Sequence, residues 1–362
     1  MARIFMANKK HFFTQALLKW HITHHRPLPW KGEKNPYLIW LSEIILQQTR
    51  VEQGLPFFEK FKEKYPTVMD LADAPEDEVM KMWEGLGYYS RARHLHAAAQ
   101  YIAHELDGNF PKSYDNIRAL KGVGDYTAAA IASFAYDLPH AVVDGNVYRV
   151  LSRFFGLEEP VDTTAGKKLF AQLAQELLDE SQSGKYNQAI MDFGASQCTP
   201  AVPKCGTCPI VKHCEAKGKG LVNKLPVKSK RLARRQRFFS YLVLNRGPHI
   251  FIKKRTGKDI WRNLYDFPVI ETPHLPEAKE VIFKNEKWRE WLAGQHWQFR
   301  CVSPPFAQEL THQKITALFW EIELDESFAS SPQHWIEVKR DEVRIFAFPR
   351  IIDRYLSEKF YL

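Results

Sequence analysis

The 362-residue sequence predicts two domains of different class: an all-α domain over 1–216 and an α+β domain over 238–362, joined by a basic connector at 217–237. Three observations carry that expectation. Up to residue 216 the apolar positions recur at helical spacing, with no run of alternating strand pattern. From Phe239 onward the pattern changes to short β-branched and aromatic runs bounded by turn residues. Between the two, Lys217 to Arg237 holds nine Lys or Arg and no acid, with Pro226 and two glycines.

In chain order, His11 to His24 reads as a first helix with Phe12, Leu17, Leu18 and Trp20 as its apolar positions, and Pro27, Pro29 and Gly32 break it. Tyr37 to Thr49 follows as a long, very apolar helix. Further helices are expected at 51–64, 68–72, 76–84, 90–106, 114–120 and 125–136. Asp144–Gly145–Asn146 caps another at 147–155; one runs from about 165 to 180, and the last spans 186–197. Past the connector, 239–244 and 250–254 read as strands about the turn 245–248, 315–322 as a strong strand, and Glu286 to Leu292 as a helix.

Apolar content of 45% and charged content of 26% are ordinary for a globular protein. No stretch approaches 18 consecutive apolar residues and the N-terminus is too soon polar for a secretory signal, so a cytoplasmic, non-membrane protein is expected. The net charge is +9, and the connector alone carries an equal excess. Such a run is a solvated linker, a phosphate contact, or both. The segment Leu120–Lys121–Gly122–Val123–Gly124–Asp125 reads as a turn between two helices. Its glycines permit positive φ and close approach, and bare N–H groups at the next helix start favour an anion such as a nucleic-acid phosphate.

Two carboxylates stand out. Glu43 sits in the most apolar helix, among Ile39, Trp40, Leu46 and Gln47 at helical spacing. Desolvation there raises its pKa and suits a general acid, although spacing equally allows a rim glutamate that reaches water. Asp144 opens a helix: it is either a plain N-cap or a buried carboxylate held ionised by helix N–H groups, fit to stabilise a developing cation. Opposite pKa tuning of two carboxylates is the usual division of labour in glycosidic cleavage. Cys198, Cys205, Cys208 and Cys214, spaced x6, x2 and x5, suit zinc or an iron–sulfur cluster, with the single short Cys-x2-Cys pair favouring the latter. Gln47, Gln48 and Thr49 end one helix and Gly85–Leu86–Gly87–Tyr88–Tyr89 fill a loop; amides read base edges, and an aromatic can wedge between bases.

In combination and order, Ser42–Glu43–Ile–Ile–Leu–Gln47–Gln48–Thr49, Gly85–Leu–Gly–Tyr–Tyr89, Leu120–Lys–Gly–Val–Gly124, Asp144–Gly–Asn146 and the four cysteines resemble the helix–hairpin–helix DNA glycosylases that carry a 4Fe-4S cluster, and within them the MutY-type adenine DNA glycosylases. The resemblance covers 1–216 densely, with a six-helix part at about 30–140 and a cluster part at about 1–29 and 141–216, and continues thinly to the end. It implies that Glu43 protonates adenine, that Asp144 stabilises the sugar cation with Asn146 beside it, and that Gln48, Leu86 and Tyr88 fill the gap around the orphaned base. It places Trp30 and Lys31 near the adenine pocket, where Lys31 departs from the family's usual Arg. Tyr126 stands where the related endonuclease III-type enzymes have a Schiff-base lysine, which implies a monofunctional enzyme. Asp259–Ile–Trp261–Arg–Asn–Leu–Tyr–Asp266–Phe–Pro268 is similar to a MutT-like (Nudix) domain, but the acidic metal-binding helix of active Nudix enzymes is missing. The resemblance therefore implies a recognition domain in which Leu310–Thr311–His312 reads oxidised guanine.

The expected function is base excision repair on double-stranded DNA: adenine opposite 8-oxoguanine or guanine is removed by a monomeric, nucleoid-associated bacterial enzyme. The rivals are a bifunctional glycosylase/lyase of the endonuclease III type, a non-enzymatic metal-containing DNA-binding protein, and a nucleotide hydrolase acting through the C-terminal domain.

Overall fold

The computed structural model describes residues 2–229, 234–328 and 335–360, with side chains for 8–229, 234–328 and 335–359. The chain divides into two compact units, Met1–Ala72 with Ala97–Arg231 and Asp73–His96 with Leu232–Leu362. Lys230 and Arg231 of the basic run lie outside the described residues.

The helices α1 to α12 are Ala2–His24, Pro36–Leu46, Val51–Lys64, Val68–Asp73, Glu76–Met82, Ser90–Glu105, Tyr114–Arg118, Asp125–Tyr136, Gly145–Phe155, Thr164–Leu177, Ser183–Ser196 and Glu215–Gly218. None of the described residues before 217 lies in a strand. The α2 helix starts on an Asn35 cap that accepts the Tyr37 N–H at 3.0 Å, with Pro36 in the first turn. Tyr37 to Ile45 are all buried, Ser42 and Glu43 included, because the helix is apolar on nearly every side. The expected end at Thr49 is corrected: α2 stops at Leu46, because Gln47 leaves helical geometry (ψ 117) and Gln48 takes φ +56.

In the first unit α2 packs on α3 and α8, and α7 packs on α8. A second group sets α1 against α10 and α11, and α9 against α11 and α12. The α11 helix also touches α8, so α2, α8, α11 and α9 pack one against the next. The α9–α11 approach requires Gly194, where an added Cβ would lie 2.6 Å from the Asn146 Cβ.

The second unit holds the strands β1 to β8: Arg235–Arg246, His249–Lys254, Tyr265–Asp266, Val269–Thr272, Trp297–Val302, Phe306–Glu309, Gln313–Leu324 and Trp335–Lys339. They form one mixed sheet ordered β3-β2-β1-β7-β5, with β4 on β1, β6 on β7 and β8 on β2. Only the long central pair β1/β7 is parallel, in register from Arg235↔Gln313 to Asn245↔Glu323. Both faces of that pair are covered, which explains near-continuous apolar runs in place of alternation. On one face Leu242, Leu244, Trp320 and Ile322 pack with Ile282 of α13 (Lys279–Phe283) and with Trp288 and Trp291 of α14 (Glu286–Leu292). On the other, Tyr355 of α15 (Arg350–Phe360) stacks on Phe319 with ring centres 3.9 Å apart. The segment Asp73–His96 is tied to this sheet: Asp77 accepts from Lys254 Nζ at 2.5 Å and the Tyr265 hydroxyl at 3.0 Å, and Glu84 accepts the Phe348 N–H at 2.8 Å.

Candidate active site

A cavity of about 600 Å³ opens where α2, α8, α9 and α11 converge. That size is within the roughly 300–1,000 Å³ typical of small-molecule sites. Its lining includes Glu43, Tyr126, Asp144 and Asn146, together with Trp30, Lys31, Gln47, Gln48 and Thr49. Of the residues singled out in the first unit, the turn 122–124 and the four cysteines are absent from this lining.

Glu43 is 6% exposed, so the rim position that spacing allowed is not the one it occupies. Burial raises its carboxyl to about 7; the Tyr126 hydroxyl opposes the rise and the Asp144 charge adds to it. Tyr126 is raised well above its ordinary value by burial and by these two carboxylates, and is a phenol at all working pH values.

Asp144 is the N-cap of α9. One carboxylate oxygen accepts the N–H groups of Asn146 (2.9 Å) and Val147 (2.8 Å), and the other accepts Asn146 Nδ2 at 2.7 Å. The expectation that these donors would leave the two carboxylates tuned in opposite directions is corrected. Burial outweighs the Val147 and Asn146 donors and the nearby Arg149 charge, so Asp144 is also raised from its ordinary value. What separates the pair is the surroundings: Asp144 receives three N–H donors at a helix N-terminus, whereas the group that favours the charged form of Glu43 is the nearby Tyr126 phenol. Asn146 is in turn held by Arg149, whose Nη2 donates to Asn146 Oδ1 at 2.8 Å while its Nε donates to the Cys198 carbonyl at 2.7 Å.

Lys31 reaches across to α11 and pairs with Asp192. Asp192 Oδ2 also meets His21 Nε2 at 3.1 Å and accepts the Arg26 N–H at 3.2 Å. Burial alone would raise Asp192, but His21, Lys31 and Arg26 outweigh it and hold the carboxyl below its ordinary value. Burial lowers Lys31, with Asp192 opposing. Trp30 packs edge-on against Phe58, ring centres 5.3 Å apart. Gln47 Nε2 donates to Thr127 Oγ1 at 3.2 Å. Gln48 is exposed with φ +56, a left-handed geometry that costs a non-glycine residue about 1–2 kcal/mol.

Sequence reasoning missed Asp192, His21 and Arg149. Asp192 is the lone acid of its helix and sits in the apolar stretch Ala189–Ile190–Met191–Asp192–Phe193, a signal of the kind that marked Glu43.

The turn 122–124 leads into α8. Gly122 has φ +82, whereas Gly124 is extended (φ −103, ψ −179), so positive φ is needed at the first glycine alone. An added Cβ at Gly124 would meet nothing within 4 Å, which leaves that backbone open to approach from outside.

The four cysteines are free thiols, and all line one small cavity beside Arg153, Phe154 and Phe193. Arg153 Nη1 donates to Cys198 Sγ at 3.5 Å. Burial pushes the Cys208 thiol up to about 11, the Ile210 N–H opposes, and the other three sulfurs push it further. Among the described residues no three Cys, His, Asp or Glu groups converge on a single-ion position. Four thiols lining one cavity supply the four-sulfur donor set that either zinc or an iron–sulfur cluster takes.

In the second unit Leu86 is 4% exposed, so the gap-filling role implied for its side chain meets a residue buried in the protein. Tyr88 is 48% exposed with φ +49. Its hydroxyl is 2.9 Å from Thr311 Oγ1. Leu310, Thr311 and His312 form the tip of the β6–β7 hairpin, closed by the Leu310 N–H on the Gln313 carbonyl at 2.8 Å, and Thr311 and His312 are exposed. Pro304 and Pro305 lie before β6, so they stiffen the β5–β6 connection and not the tip.

A family model described as HhH-GPD superfamily base excision DNA repair protein matches residues 41–178, and a NUDIX domain model matches 240–358. The adenine DNA glycosylase of Buchnera aphidicola subsp. Acyrthosiphon pisum (strain APS) is 35% identical over 279 residues, covering 77% of this chain and 79% of that protein. The chain belongs to the adenine DNA glycosylase family. The adenine DNA glycosylase of Rattus norvegicus is 40% identical over 227 residues, 59% of this chain and 44% of that protein. Among solved structures, a thermostable thymine-DNA glycosylase superposes with a TM-score of 0.56 at 31% identity, over 59% of this chain and 99% of its own. The two-class architecture read from the sequence, a helical glycosylase domain followed by a MutT-like domain, agrees with both family models. No helix among the described residues is long and apolar enough to cross a membrane.

Proposed function

We propose that this adenine DNA glycosylase hydrolyses the N-glycosidic bond of adenine opposite 8-oxoguanine or guanine in double-stranded DNA, acting as a monomer and leaving an abasic site. The observation that carries the reading is a protonatable carboxyl, Glu43 at about 7, in the same buried cavity as a carboxylate held by helix N–H groups, Asp144. Adenine flipped into the cavity takes a proton from Glu43, which makes it a neutral leaving group. As the bond breaks, positive charge develops on the sugar, and Asp144, fixed by Val147 and Asn146, stabilises it without reorganising. The sugar cation is captured by water or through a transient adduct, and Glu43 is reprotonated from solvent. Tyr126 keeps the Glu43 carboxyl oriented.

Gln47, Gln48, Thr49 and Trp30 contact the opened base step, the backbone of Gly122, Val123 and Gly124 binds a phosphate, and Tyr88 fills the stack. Thr311 and His312, with Leu310, hydrogen-bond the oxidised guanine. Cys198, Cys205, Cys208 and Cys214 would hold a 4Fe-4S cluster; when bound it supplies a rigid clip for the loop 198–214.

A strand-cutting reaction needs a neutral amine at the sugar. Lys31 is the sole lysine lining the cavity among the described residues, and its amine is engaged in an ion pair with Asp192. The test is product analysis on a duplex with one 8-oxoguanine·adenine pair. Free adenine and abasic sites that break only on alkali are expected. Stoichiometric borohydride trapping of a protein–DNA adduct would instead establish a lyase, and release of no base would remove the reading altogether.

A further inference from the structure

The second unit contains a cavity of about 330 Å³ bordered by β1, β2, β4, the turn after β2 and α14. It lies far in sequence from the glycosylase residues, and nothing in the reaction above uses it. Five cations and two carboxylates line it. Three of the cations are committed. Arg237 is clamped by Asp259 (2.9 and 2.8 Å) and by Glu271 (both bonds 2.7 Å). Arg255 bonds Asp266 at 2.6 Å and Asp259 at 3.2 Å, and Lys254 bonds Asp77 at 2.5 Å. Both lining carboxylates are thereby occupied by arginine.

Lys253 and Lys287 differ from these. Neither forms an ion pair among the described residues; both ammonium groups instead lie over the Trp291 ring, 5.6 and 6.0 Å from its centre. Lys253 is half-buried, and its ammonium is disfavoured chiefly by burial, with Lys287 and Arg255 adding repulsion and Asp266 opposing. A half-buried cation repelled by a second cation that lines the same open cavity is relieved by an anion that reaches both. The Thr256 hydroxyl lines the same wall, and at Gly257 an added Cβ would meet nothing within 4 Å, which leaves the turn backbone open.

We propose that this cavity binds a phosphate ester between Lys253 and Lys287. The ester is either a backbone phosphate of DNA or a free nucleotide or pyrophosphate; the recognition chemistry is the same, two ammonium donors in a partly desolvated recess. The proposal does not depend on the glycosylase mechanism.

The experiment uses the full-length protein and two probes. Inorganic pyrophosphate is titrated calorimetrically at low salt, and an undamaged duplex is titrated over a salt series. The variants are Lys253→Gln, Lys287→Glu and, as a matched charge change outside the cavity lining, Lys284→Glu. Lys287 is exposed on α14, so Lys287→Glu carries the test even where Lys253→Gln disturbs folding. If the source is a free phosphate, Lys287→Glu weakens pyrophosphate at least tenfold and leaves the duplex salt slope unchanged. If the source is DNA, the slope of log K against log salt falls by roughly 0.9 for the lost phosphate contact. Lys284→Glu should do neither. Equal behaviour of wild type and Lys287→Glu with both probes, or an equal loss in Lys284→Glu, overturns the proposal.

Discussion

The cavity of the first unit and the hairpin tip of the second are built on opposite principles. Glu43 is buried and Asp144 is partly buried, and each oxygen of Asp144 has an assigned donor. Thr311 and His312 stand exposed on a tight hairpin, and among the described residues the Thr311 hydroxyl meets the Tyr88 hydroxyl. In a desolvated cavity a single fixed charge or proton is worth orders of magnitude in rate. At an exposed tip a hydrogen bond competes with water and is worth about one or two kcal/mol. Changes in the cavity should therefore alter rate with little effect on binding, and changes at the tip should alter discrimination with little effect on rate.

The largest effect is expected from Glu43→Gln. The amide fills the same space but carries no transferable proton, so single-turnover excision should fall by about 10²–10⁴-fold while duplex affinity is retained. A variant that excises at near wild-type rate would remove Glu43 from the chemistry. Asp144→Asn should come next, at about 10²–10³-fold. Asparagine is as good an N-cap as aspartate, so the helix start survives and the loss isolates the charge. If Asp144→Asn melts earlier than wild type by as much as it loses in rate, the residue is a cap and no more.

The Glu43 environment also has a signature in stability. Its carboxyl is raised from 4.5 to about 7, so the folded state holds a proton that the unfolded chain releases. That contribution is complete below about pH 4.5 and is lost as pH rises through 7, a span worth about 3 kcal/mol. Glu43→Gln removes the titration. Denaturant unfolding at pH 5 and pH 8 should show the wild type losing up to about 3 kcal/mol relative to this variant. Parallel pH dependence of the two proteins would mean that the buried carboxyl keeps an ordinary pKa.

Some of this arrangement was legible in the sequence because its signals are local. A lone acid among apolar helical neighbours marked Glu43, Asp-Gly-Asn marked the α9 cap, and cysteine spacing marked the thiolate cavity. The remainder depends on partners distant in the chain. Lys31 meets Asp192 161 residues later, and Lys254 meets Asp77 across 177. The net rise at Asp144 comes from tertiary burial, which no cap motif reports. The early end of α2 comes from a left-handed Gln48, a geometry that residue identity does not disclose. Leu86 shows the same limit in reverse: its place in a glycine-rich loop suggests exposure, and packing buries it.

Effects at the tip should be smaller and of another kind. Thr311→Ala with His312→Ala removes the hydroxyl and imidazole proposed to meet O8 and the N7 proton of oxidised guanine. Titration of 8-oxoguanine·adenine and guanine·adenine duplexes at one salt concentration should show about 1–3 kcal/mol less preference for the oxidised pair, with the guanine pair hardly changed. Equal losses on both duplexes would make the second unit a source of general DNA affinity.

The smallest expected effect is the most discriminating, because it separates the tip's own contacts from its support. Tyr88→Phe keeps the exposed ring and removes only the hydroxyl that lies 2.9 Å from Thr311 Oγ1. A neutral hydrogen bond is worth about 0.5–1.5 kcal/mol net, and an exposed one sits at the lower end. If Tyr88 merely steadies Thr311, the variant should lose a few-fold in preference for the oxidised pair, well short of the double tip variant, and excision at saturating enzyme should be unchanged. The two changes should also be non-additive: Tyr88→Phe placed on Thr311→Ala should cost nothing further, since the bond is already gone. A loss from Tyr88→Phe as large as that from Thr311→Ala would mean that the hydroxyl of Thr311 acts by fixing the tyrosine ring and not by reading the base. Full additivity would mean that the Tyr88–Thr311 contact contributes nothing to recognition.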